Sequence, residues 1–395
     1  MEWPFLNFTS MGYVKFRAGQ LFDGYRFLAD PSVLVMTEEG VVETILPADE
    51  AGDDVQELSG IISPGFINCH CHLELSHMKD MIEEGTGLGE FVFRVVTQRN
   101  LPDEAILAAI EKAEGEMLAN GIVAVGDICN NALSLPQKLK GRIWYHNFIE
   151  ASGFNPAIAA ERFQRSTGFF AAYANLYSIP VASNSITPHA PYSVSDELWE
   201  MILHFPGNQL LTIHNQETAD EDEWFKYKTG SLQDMFAKMK MDTTSFQPSG
   251  KSSLQTYFPK FLANQAVILV HNVHTKREHI DFAKQSGIIH YWCFCPNANE
   301  YISGKLPAID LFTESGNIVL GTDSLASNHQ LSILEEMKTI RKHYPGIELG
   351  TLLQWATLNG AKALQLQALM GSFEKGKKPG VLLIADNLET VKRLL

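Results

Sequence analysis

Eight short apolar runs follow one another along the chain after residue 60, and amphipathic helical patterns separate several of them. Each run is rich in β-branched residues and closes in polar residues, which is typical of a buried parallel strand. The runs are GIISPGFINCHCH, GIVAVGDIC, GRIWYHNFIEA, IPVASNSITPHA, NQLLTIHNQE, QAVILVHNVH, GIIHYWCFCPN and GNIVLGTDS. Eight strand–helix units predict an α/β fold whose strands close into a (β/α)8 barrel of the TIM type.

Both ends of the chain indicate a second, smaller unit. Residues 11–60 contain bursts such as GYVKFRAG and SVLVMTEEG, which predict small antiparallel strands, and GSFEKGKKPGVLLIADN predicts one or two more. We therefore expect a barrel domain over residues 61–369 and a small flanking β-sheet domain built from residues 1–60 and 370–395. Segment 219–260 is longer than an ordinary βα loop and contains the helical pattern GSLQDMFAKMK, so we expect a lid there.

The composition argues against several classes of partner. A formal net charge of −15 leaves no basic excess to meet phosphates, so we expect no nucleic acid partner. No apolar run reaches the ~18 residues of a membrane-spanning helix, and the N-terminal residues have no signal-peptide pattern. The cysteines number five, which does not suggest a disulfide framework, so we expect a cytoplasmic protein without membrane association.

The segment SPGFINCHCHLELSH, residues 63–77, places four metal-binding side chains next to one another. Alternate side chains of a strand share a face, so His70 and His72 point one way while Cys69 and Cys71 point the other. A metal ion would therefore take the two histidines or the two cysteines. An isolated pair of this kind can also be a satisfied part of a core.

Other strand ends favour the histidines. The fifth run ends in TIHNQE and the eighth in LGTDS, which brings His214 and Asp323 to the same rim of the barrel. Imidazole and carboxylate ligands on separate strand ends are typical of catalytic zinc or ferrous iron with an open coordination position. We therefore predict His70, His72, His214 and Asp323 as metal ligands, and we interpret the two Cys-x-Cys pairs as small buried apolar residues.

In chain order, PGFINCHCH, TPHAPYS, HNQE, VHNVH, CPNAN and GTDSLASN resemble motifs of the amidohydrolase superfamily, in its mononuclear deaminase and chlorohydrolase branch. The resemblance covers the whole chain and implies a metal-dependent hydrolase. Binuclear relatives commonly bridge two metals through a carboxylated lysine on a middle strand, whereas no lysine occurs here between Lys140 and Lys226. We therefore expect one divalent metal ion, zinc in the first place and ferrous iron as the alternative.

Three residues occupy positions suited to proton transfer. Glu217 lies at the mouth of the fifth strand, and we expect it to protonate a ring nitrogen of the substrate, whereas the role of a solvated acid fits Glu221 or Glu223 better. The resemblance implies that His271 orients the attacking water and that Asp323 takes the proton of that water. His274 is the alternative to His271, because both histidines follow the sixth strand.

Four further residues are predicted to bind the substrate. His189 ends the fourth strand, where a neutral imidazole could hydrogen-bond the substrate or serve a structural role. Glu74 shares the face of the histidine pair if the strand stays extended, with a helix cap as the alternative. Asn299 and Ser324 belong to the motifs CPNAN and GTDSLASN of the resemblance.

The resemblance also implies a substrate class. FINCHCHLELS, HAPYSVSDEL, ETADEDEW and CPNANEYISGK are similar to stretches of the deaminases that act on 6-amino-6-deoxyfutalosine in menaquinone biosynthesis. This implies release of ammonia from a small, aminopurine-like heterocycle, and family habit implies a homodimer. The alternatives are an aminohydrolase of guanine, adenosine, S-adenosylhomocysteine or methylthioadenosine, or a triazine chlorohydrolase. A non-catalytic relative is disfavoured because no predicted ligand is missing.

Overall fold

The computed structural model describes residues 12–176 and 182–395. Its strands are β1 (Tyr13–Arg17), β2 (Gln20–Leu21), β3 (Ser32–Thr37), β4 (Val42–Pro47), β5 (Val55–Glu57), β6 (Ile61–Pro64), β7 (Phe66–Cys71), β8 (Ile122–Cys129), β9 (Trp144–Ala151), β10 (Ala182–Pro188), β11 (Leu210–Asn215), β12 (Ala266–His271), β13 (Ile289–Phe294), β14 (Ile318–Leu320), β15 (Val381–Ile384) and β16 (Val391–Arg393). Residues 1–11 of the predicted flanking unit and 179–181 of the predicted fourth strand lie outside the described residues.

The helices lie mainly between the strands of the central sheet. They are α1 (Leu88–Gln98), α2 (Asp103–Ala119), α3 (Leu135–Lys138), α4 (Ala159–Leu176), α5 (Asp196–Leu203), α6 (Ala219–Tyr227), α7 (Ser231–Lys238), α8 (Ser253–Tyr257), α9 (Arg277–Gln285), α10 (Pro296–Ser303), α11 (Ile333–His343), α12 (Leu349–Gln354) and α13 (Gly360–Ala363). Short 3₁₀ helices span Leu73–Met78, Pro156–Ile158, Pro191–Ser193, Phe258–Lys260 and Ile309–Ser315, and a π-helical turn spans Trp355–Asn359.

Strands β7 to β14 form a parallel barrel. Pairing runs through β7, β8, β9 and β10 and through β11, β12, β13 and β14. The Thr212 N–H donates to Thr187 Oγ1 at 2.8 Å and joins β11 to β10. The N–H groups of Thr322 and Asp323 both donate to the His70 carbonyl oxygen at 3.0 Å, which joins the end of β14 to β7. The predicted (β/α)8 barrel is therefore confirmed.

Two four-stranded sheets flank the barrel. One has the order β4-β3-β1-β5, and the other, with the order β16-β15-β6-β2, combines both ends of the chain as predicted. Not every N-terminal pair is antiparallel, because β1 pairs with β5 and β2 with β6 in parallel. The domain boundaries at residues 60/61 and 369/370 stay a prediction.

The first predicted run, GIISPGFINCHCH, is two strands rather than one. Strand β6 pairs with β15 in the flanking sheet, whereas β7 begins the barrel, and Gly65 separates them. A Cβ atom at Gly65 would lie 2.3 Å from Val123 Cγ1 and 2.7 Å from the Pro379 carbonyl oxygen, so a side chain would not fit at this junction. The prediction of one strand was wrong because both strands are fully buried, and the apolar pattern continues through the junction.

The face of β7 opposite the two histidines belongs to the apolar core. Cys69 packs in one cluster with Ile67, Val270, Cys293 and Cys295. All five cysteines lie within the described residues and are buried and free, so they act there as small apolar side chains. None of the helices in the described part of the chain combines the length and hydrophobicity needed to cross a membrane.

Helices α6 to α8 lie within segment 219–260, where the sequence predicted a lid. Trp224 is fully buried, with ring centroids 4.8 Å from Phe246 and 4.9 Å from Phe236. Phe154, which follows β9, completes this aromatic cluster. The segment therefore packs as an apolar wall beside the C-terminal rim of the barrel, and its opening and closing stay a prediction.

Barrel closure near His70 leaves no room for an added methyl group. A Cβ atom at Gly321 would lie 2.8 Å from His70 Cβ, 2.9 Å from Cys295 Sγ and 3.0 Å from Cys293 Sγ. Because overpacking costs about 1–3 kcal/mol, we expect Gly321→Ala to lower the free energy of unfolding by that amount, which is measured as a lower urea midpoint. Gly115 in α2 has nothing within 4 Å of its Cβ position, so the control Gly115→Ala should stabilise the chain by about 0.5–1 kcal/mol. Equal midpoints for Gly321→Ala and the wild type would contradict this description of the closure.

Candidate active site

Three predicted ligand atoms meet at the C-terminal end of the barrel. His70 Nε2 and His72 Nε2 lie 3.2 Å apart, and Asp323 Oδ1 lies 3.6 Å from the first and 3.4 Å from the second. Two nitrogen or oxygen ligands of a tetrahedral zinc ion, each about 2.0–2.1 Å from the metal, are about 3.3 Å from each other. The three separations therefore match the spacing of ligands that share one metal ion.

His214, at the end of β11, completes the predicted set. Its ring centroid lies 4.9 Å from that of His70. Its Nδ1–H donates to the His189 carbonyl oxygen at 2.7 Å, which leaves the Nε2 lone pair free. Ligand atoms of His70, His214 and His271 also lie within 4.8 Å of one another. The four predicted ligands thus converge, and His271 lies directly beside them.

The charge states of these groups suit a cation. Burial lowers the pKa of His72 well below its ordinary value and that of His214 to about 4, so both imidazoles are neutral at pH 7 and offer lone pairs. Burial would raise the pKa of Asp323, but its hydrogen bond with His70 and the nearby His72 ring hold this pKa well below the usual range. Neutral imidazoles and an ionised carboxylate are the forms in which these side chains bind divalent metals.

Asp323 is held by its neighbours in an unfavourable backbone conformation. Its φ of 57° lies in the left-handed region, which is uncommon for residues other than glycine. Its N–H group donates to the His70 carbonyl oxygen, and Ser327 Oγ donates to its Oδ2 at 2.6 Å. These contacts leave Oδ1 facing the histidine pair, so the conformation aims the carboxylate at the cluster.

His271 is the one of the two competing histidines that reaches the site. It also has a left-handed φ, 74°, and Asn299 Nδ2 donates to its Nδ1 at 3.0 Å. Because Nδ1 accepts this bond, the ring proton lies on Nε2, which is 3.7 Å from Glu217 Oε1. His274 does not line the cavity described below, although its N–H donates to the Gln216 carbonyl oxygen.

Glu217 is buried beside the cluster. Burial, together with the carboxyl groups of Asp323 and Glu221, raises the pKa of Glu217 well above its ordinary value and so favours its protonated form. Glu221 is not solvated as expected. It is fully buried, its Oε1 accepts from the Gln216 N–H at 3.1 Å, and the Ser253 hydroxyl donates to the same oxygen. Helix α8 therefore covers Glu221, although the surrounding sequence is rich in acidic residues.

A cavity of about 630 Å³ opens onto these groups. Of the four residues predicted to bind substrate, His189 and Ser324 line it, and the others do not. Glu74 accepts a hydrogen bond from the Asn130 N–H at 2.9 Å, and burial raises its pKa to about 7. Asn299 lies behind His271, to which it is hydrogen-bonded. The cavity wall is therefore made mostly by residues other than the predicted contacts.

Sequence reasoning missed the polar residues of the outer cavity. Glu150 at the end of β9, Asn130 after β8, and Arg99, Arg162 and Arg165 all line it. The two last arginines lie on α4 and resemble ordinary surface residues of an amphipathic helix. The position of Glu150 at a strand end is the one signal that could have identified a member of this group.

Two relatives resemble this chain in sequence over most of its length. The 5-methylthioadenosine/S-adenosylhomocysteine deaminase of Teredinibacter turnerae is 27% identical over 384 residues, which cover 92% of this chain and 81% of that relative. The adenosine deaminase of Helicobacter pylori is 25% identical over 342 residues, with 85% and 81% covered.

Two solved structures share the fold. Helicobacter pylori aminofutalosine deaminase, in complex with methylthio-coformycin, has a TM-score of 0.81 at 22% identity, covering 94% of this chain and 92% of that one. An adenosine deaminase from Xanthomonas campestris with bound zinc has a TM-score of 0.72 at 22% identity, with 94% and 84% covered.

The match to a family covers most of the chain. The profile of the Amidohydrolase family aligns with residues 61–393, a range that contains the whole barrel and the last strands of the flanking sheet. Together with the buried histidine–aspartate cluster at the C-terminal rim, this match establishes that the chain belongs to the amidohydrolase family, as a hydrolase acting on carbon–nitrogen bonds other than peptide bonds.

Proposed function

We propose that the chain is a metal-dependent deaminase of an adenine nucleoside, with 6-amino-6-deoxyfutalosine as its substrate in menaquinone biosynthesis. The observation that carries this proposal is the buried Glu217 carboxyl, 3.7 Å from His271 Nε2 and next to the histidine–aspartate cluster, at one end of the cavity. Burial raises the pKa of Glu217, and the contacts with His70 and His72 lower that of Asp323. Deamination of adenine needs an acid for the ring nitrogen and a base for the attacking water, and this pair supplies both. The location of the protein in the cytoplasm and its assembly as a homodimer stay predictions.

Four residues would hold the metal. His70, His72, His214 and Asp323 offer the neutral imidazoles, the carboxylate and the ligand spacing of a mononuclear site, and we propose zinc, with ferrous iron as the alternative. When bound, such an ion lowers the pKa of water to about 7 and so supplies hydroxide at neutral pH.

The remaining roles belong to the side chains. Glu217 protonates the ring nitrogen next to the amino-bearing carbon, which makes that carbon more electrophilic. Asp323 accepts a proton from the attacking water and passes it on to the departing amino group. The Nε2–H of His271 donates a hydrogen bond that orients the water, because Asn299 holds the proton on that nitrogen. The products are ammonia and a hypoxanthine-type base, and the second proton of the water, which is lost as the carbonyl forms, returns to Glu217.

The outer cavity supports a substrate with an anionic substituent. Arg99, Arg162 and Arg165 line this part, and Arg162 Nε is buried without a hydrogen-bond partner among the described residues. Apolar side chains, among them Phe91 and Met239, also line the cavity. 6-Amino-6-deoxyfutalosine carries an aromatic carboxylate on the 5′ side of its ribose, which matches arginines set in an apolar surface.

S-adenosylhomocysteine is the second candidate substrate. It also carries a carboxylate on the 5′ side, and the Teredinibacter turnerae relative named for it is 27% identical to this chain. The same arginines would bind that carboxylate, but the apolar wall favours an aromatic substituent over an amino acid.

Ammonia release from the purified, zinc-loaded chain tests the substrate. The panel contains 6-amino-6-deoxyfutalosine, S-adenosylhomocysteine, methylthioadenosine, adenosine, guanine and a chlorotriazine, the last assayed by chloride release. We expect the highest kcat/KM with 6-amino-6-deoxyfutalosine, about 100-fold or more above adenosine, because adenosine leaves the arginines unpaired. A higher kcat/KM with S-adenosylhomocysteine would favour the second candidate. Turnover of guanine or the triazine alone would contradict the proposal.

Two variants separate metal binding from proton transfer. Glu217→Gln should retain about one zinc ion per chain and lose kcat by about 10²–10⁴-fold, because the amide cannot donate the proton. Asp323→Asn should lose both zinc and rate, because a ligand and a base are removed together. Zinc is measured by elemental analysis, and Glu223→Gln, at an exposed position of α6, is the control. Near wild-type turnover by Glu217→Gln would refute its role as the acid.

A further inference from the structure

We propose that Glu150 is the residue that binds a hydroxyl group of the substrate's ribose, and thereby makes the site specific for ribonucleosides. This inference rests on the proposed function, because it assumes that the substrate is an adenine nucleoside. It assigns to the cavity a hydroxyl subsite built from Glu150 and Asn130, two residues without a role in the deamination chemistry described above.

The Glu150 carboxylate is built into the cavity wall with one oxygen unused. Its side chain is 6% exposed and lines the cavity. Oε2 accepts a hydrogen bond from Asn130 Nδ2 at 2.8 Å, which helps to orient the carboxylate. Oε1 is buried and has no hydrogen-bond partner among the described residues. Buried carboxylate oxygens are almost always satisfied, so this one indicates that a donor arrives with the ligand.

Neighbouring side chains do not supply this donor. His214 Nδ1 lies 3.9 Å from Glu150 Oε1, but its proton is already donated to the His189 carbonyl oxygen at 2.7 Å. Ser193 Oγ lies 2.8 Å from His189 Nδ1, so that imidazole nitrogen is also engaged. Glu150, His189 and His214 nevertheless place one ligand atom each within 4.8 Å of one another, and the free Oε1 lies beside His214, a predicted metal ligand.

The position of this oxygen matches a sugar hydroxyl. In an adenine nucleoside the ribose is attached on the side of the purine opposite the amino-bearing carbon. With that carbon at the histidine–aspartate cluster and the 5′ substituent toward Arg162, the ribose would lie between the two, in the cavity that Glu150 and Arg162 both line. A carboxylate is an acceptor only, and a ribose hydroxyl is a neutral donor of the right kind.

A different role for Glu150 predicts different kinetics. If the carboxylate acted only by supporting the His214 ring, removing its charge would weaken metal binding and slow every substrate alike. If it binds a ribose hydroxyl, removing the charge affects the substrates that carry this hydroxyl and spares those that lack it. The two roles are therefore separated by comparing ribose with deoxyribose.

The test compares wild type, Glu150→Gln and the control Glu161→Gln, an exposed acid of α4. Adenosine, 2′-deoxyadenosine and 3′-deoxyadenosine are the probes, and kcat/KM and zinc content are measured for each protein. We expect the wild type and the control to prefer adenosine over one deoxy analogue by about 100-fold or more. In Glu150→Gln this preference should fall below about 10-fold, with zinc content unchanged.

Several results would overturn the inference. They are an absence of hydroxyl preference in the wild type, an equal loss of kcat/KM for all three probes in Glu150→Gln, and a loss of zinc in that variant. The first of these results is measured on the wild type alone, so the inference can be tested even if Glu150→Gln misfolds. A wild-type chain that deaminates no adenine nucleoside in either panel would instead overturn the proposed function, and the inference with it.

Discussion

The hydrogen bonds that close the barrel also assemble the site. The His70 carbonyl oxygen accepts from the N–H groups of both Thr322 and Asp323, so the first and last strands of the barrel meet at one predicted metal ligand. Asn68 strengthens the same contact, because its Nδ2 donates to Thr322 Oγ1 at 2.7 Å and its Oδ1 accepts from the Thr322 N–H at 3.1 Å. The separation of the histidine pair from the Asp323 carboxylate is thus fixed by barrel closure rather than by a flexible loop.

The backbone conformations that present His271 and Asp323 to the site cost free energy. Residues in the left-handed region cost about 1–3 kcal/mol each, and His271, Asn272 and Asp323 are all in it, at the ends of β12 and β14. Asn272 Nδ2 donates to the carbonyl oxygens of Leu269 and Cys293, at 2.9 and 3.1 Å, and so secures the turn that presents His271. Such conformations persist where the surroundings determine them, which is the condition for a preorganised site.

The sequence predicted the parts of the site that follow from strand geometry. The alternation of side chains along β7 gives the direction of His70 and His72, and the rule that parallel strands end at one rim gives the meeting with Asp323. Prediction from the sequence failed where the burial of a side chain depends on residues far away along the chain. Glu221 is buried because Ser253 covers it, and Glu74 is held away from the cavity by the Asn130 N–H. No local pattern records such contacts, and for the same reason the cavity arginines looked like surface residues.

Residue type alone does not decide which carboxyl group acts as an acid. Asp323 and Glu217 are both buried, and burial by itself raises the pKa of each. The hydrogen bond with His70 and the nearby His72 ring lower the pKa of Asp323, whereas burial and the nearby Asp323 carboxylate raise the pKa of Glu217. Ionisation of Asp323 therefore favours protonation of Glu217, so the charge states that the two proposed roles require depend on each other. A metal ion bound beside Asp323 would stabilise its ionised form. The proposed acid and base roles would then follow from the placement of charges in the barrel rather than from residue type.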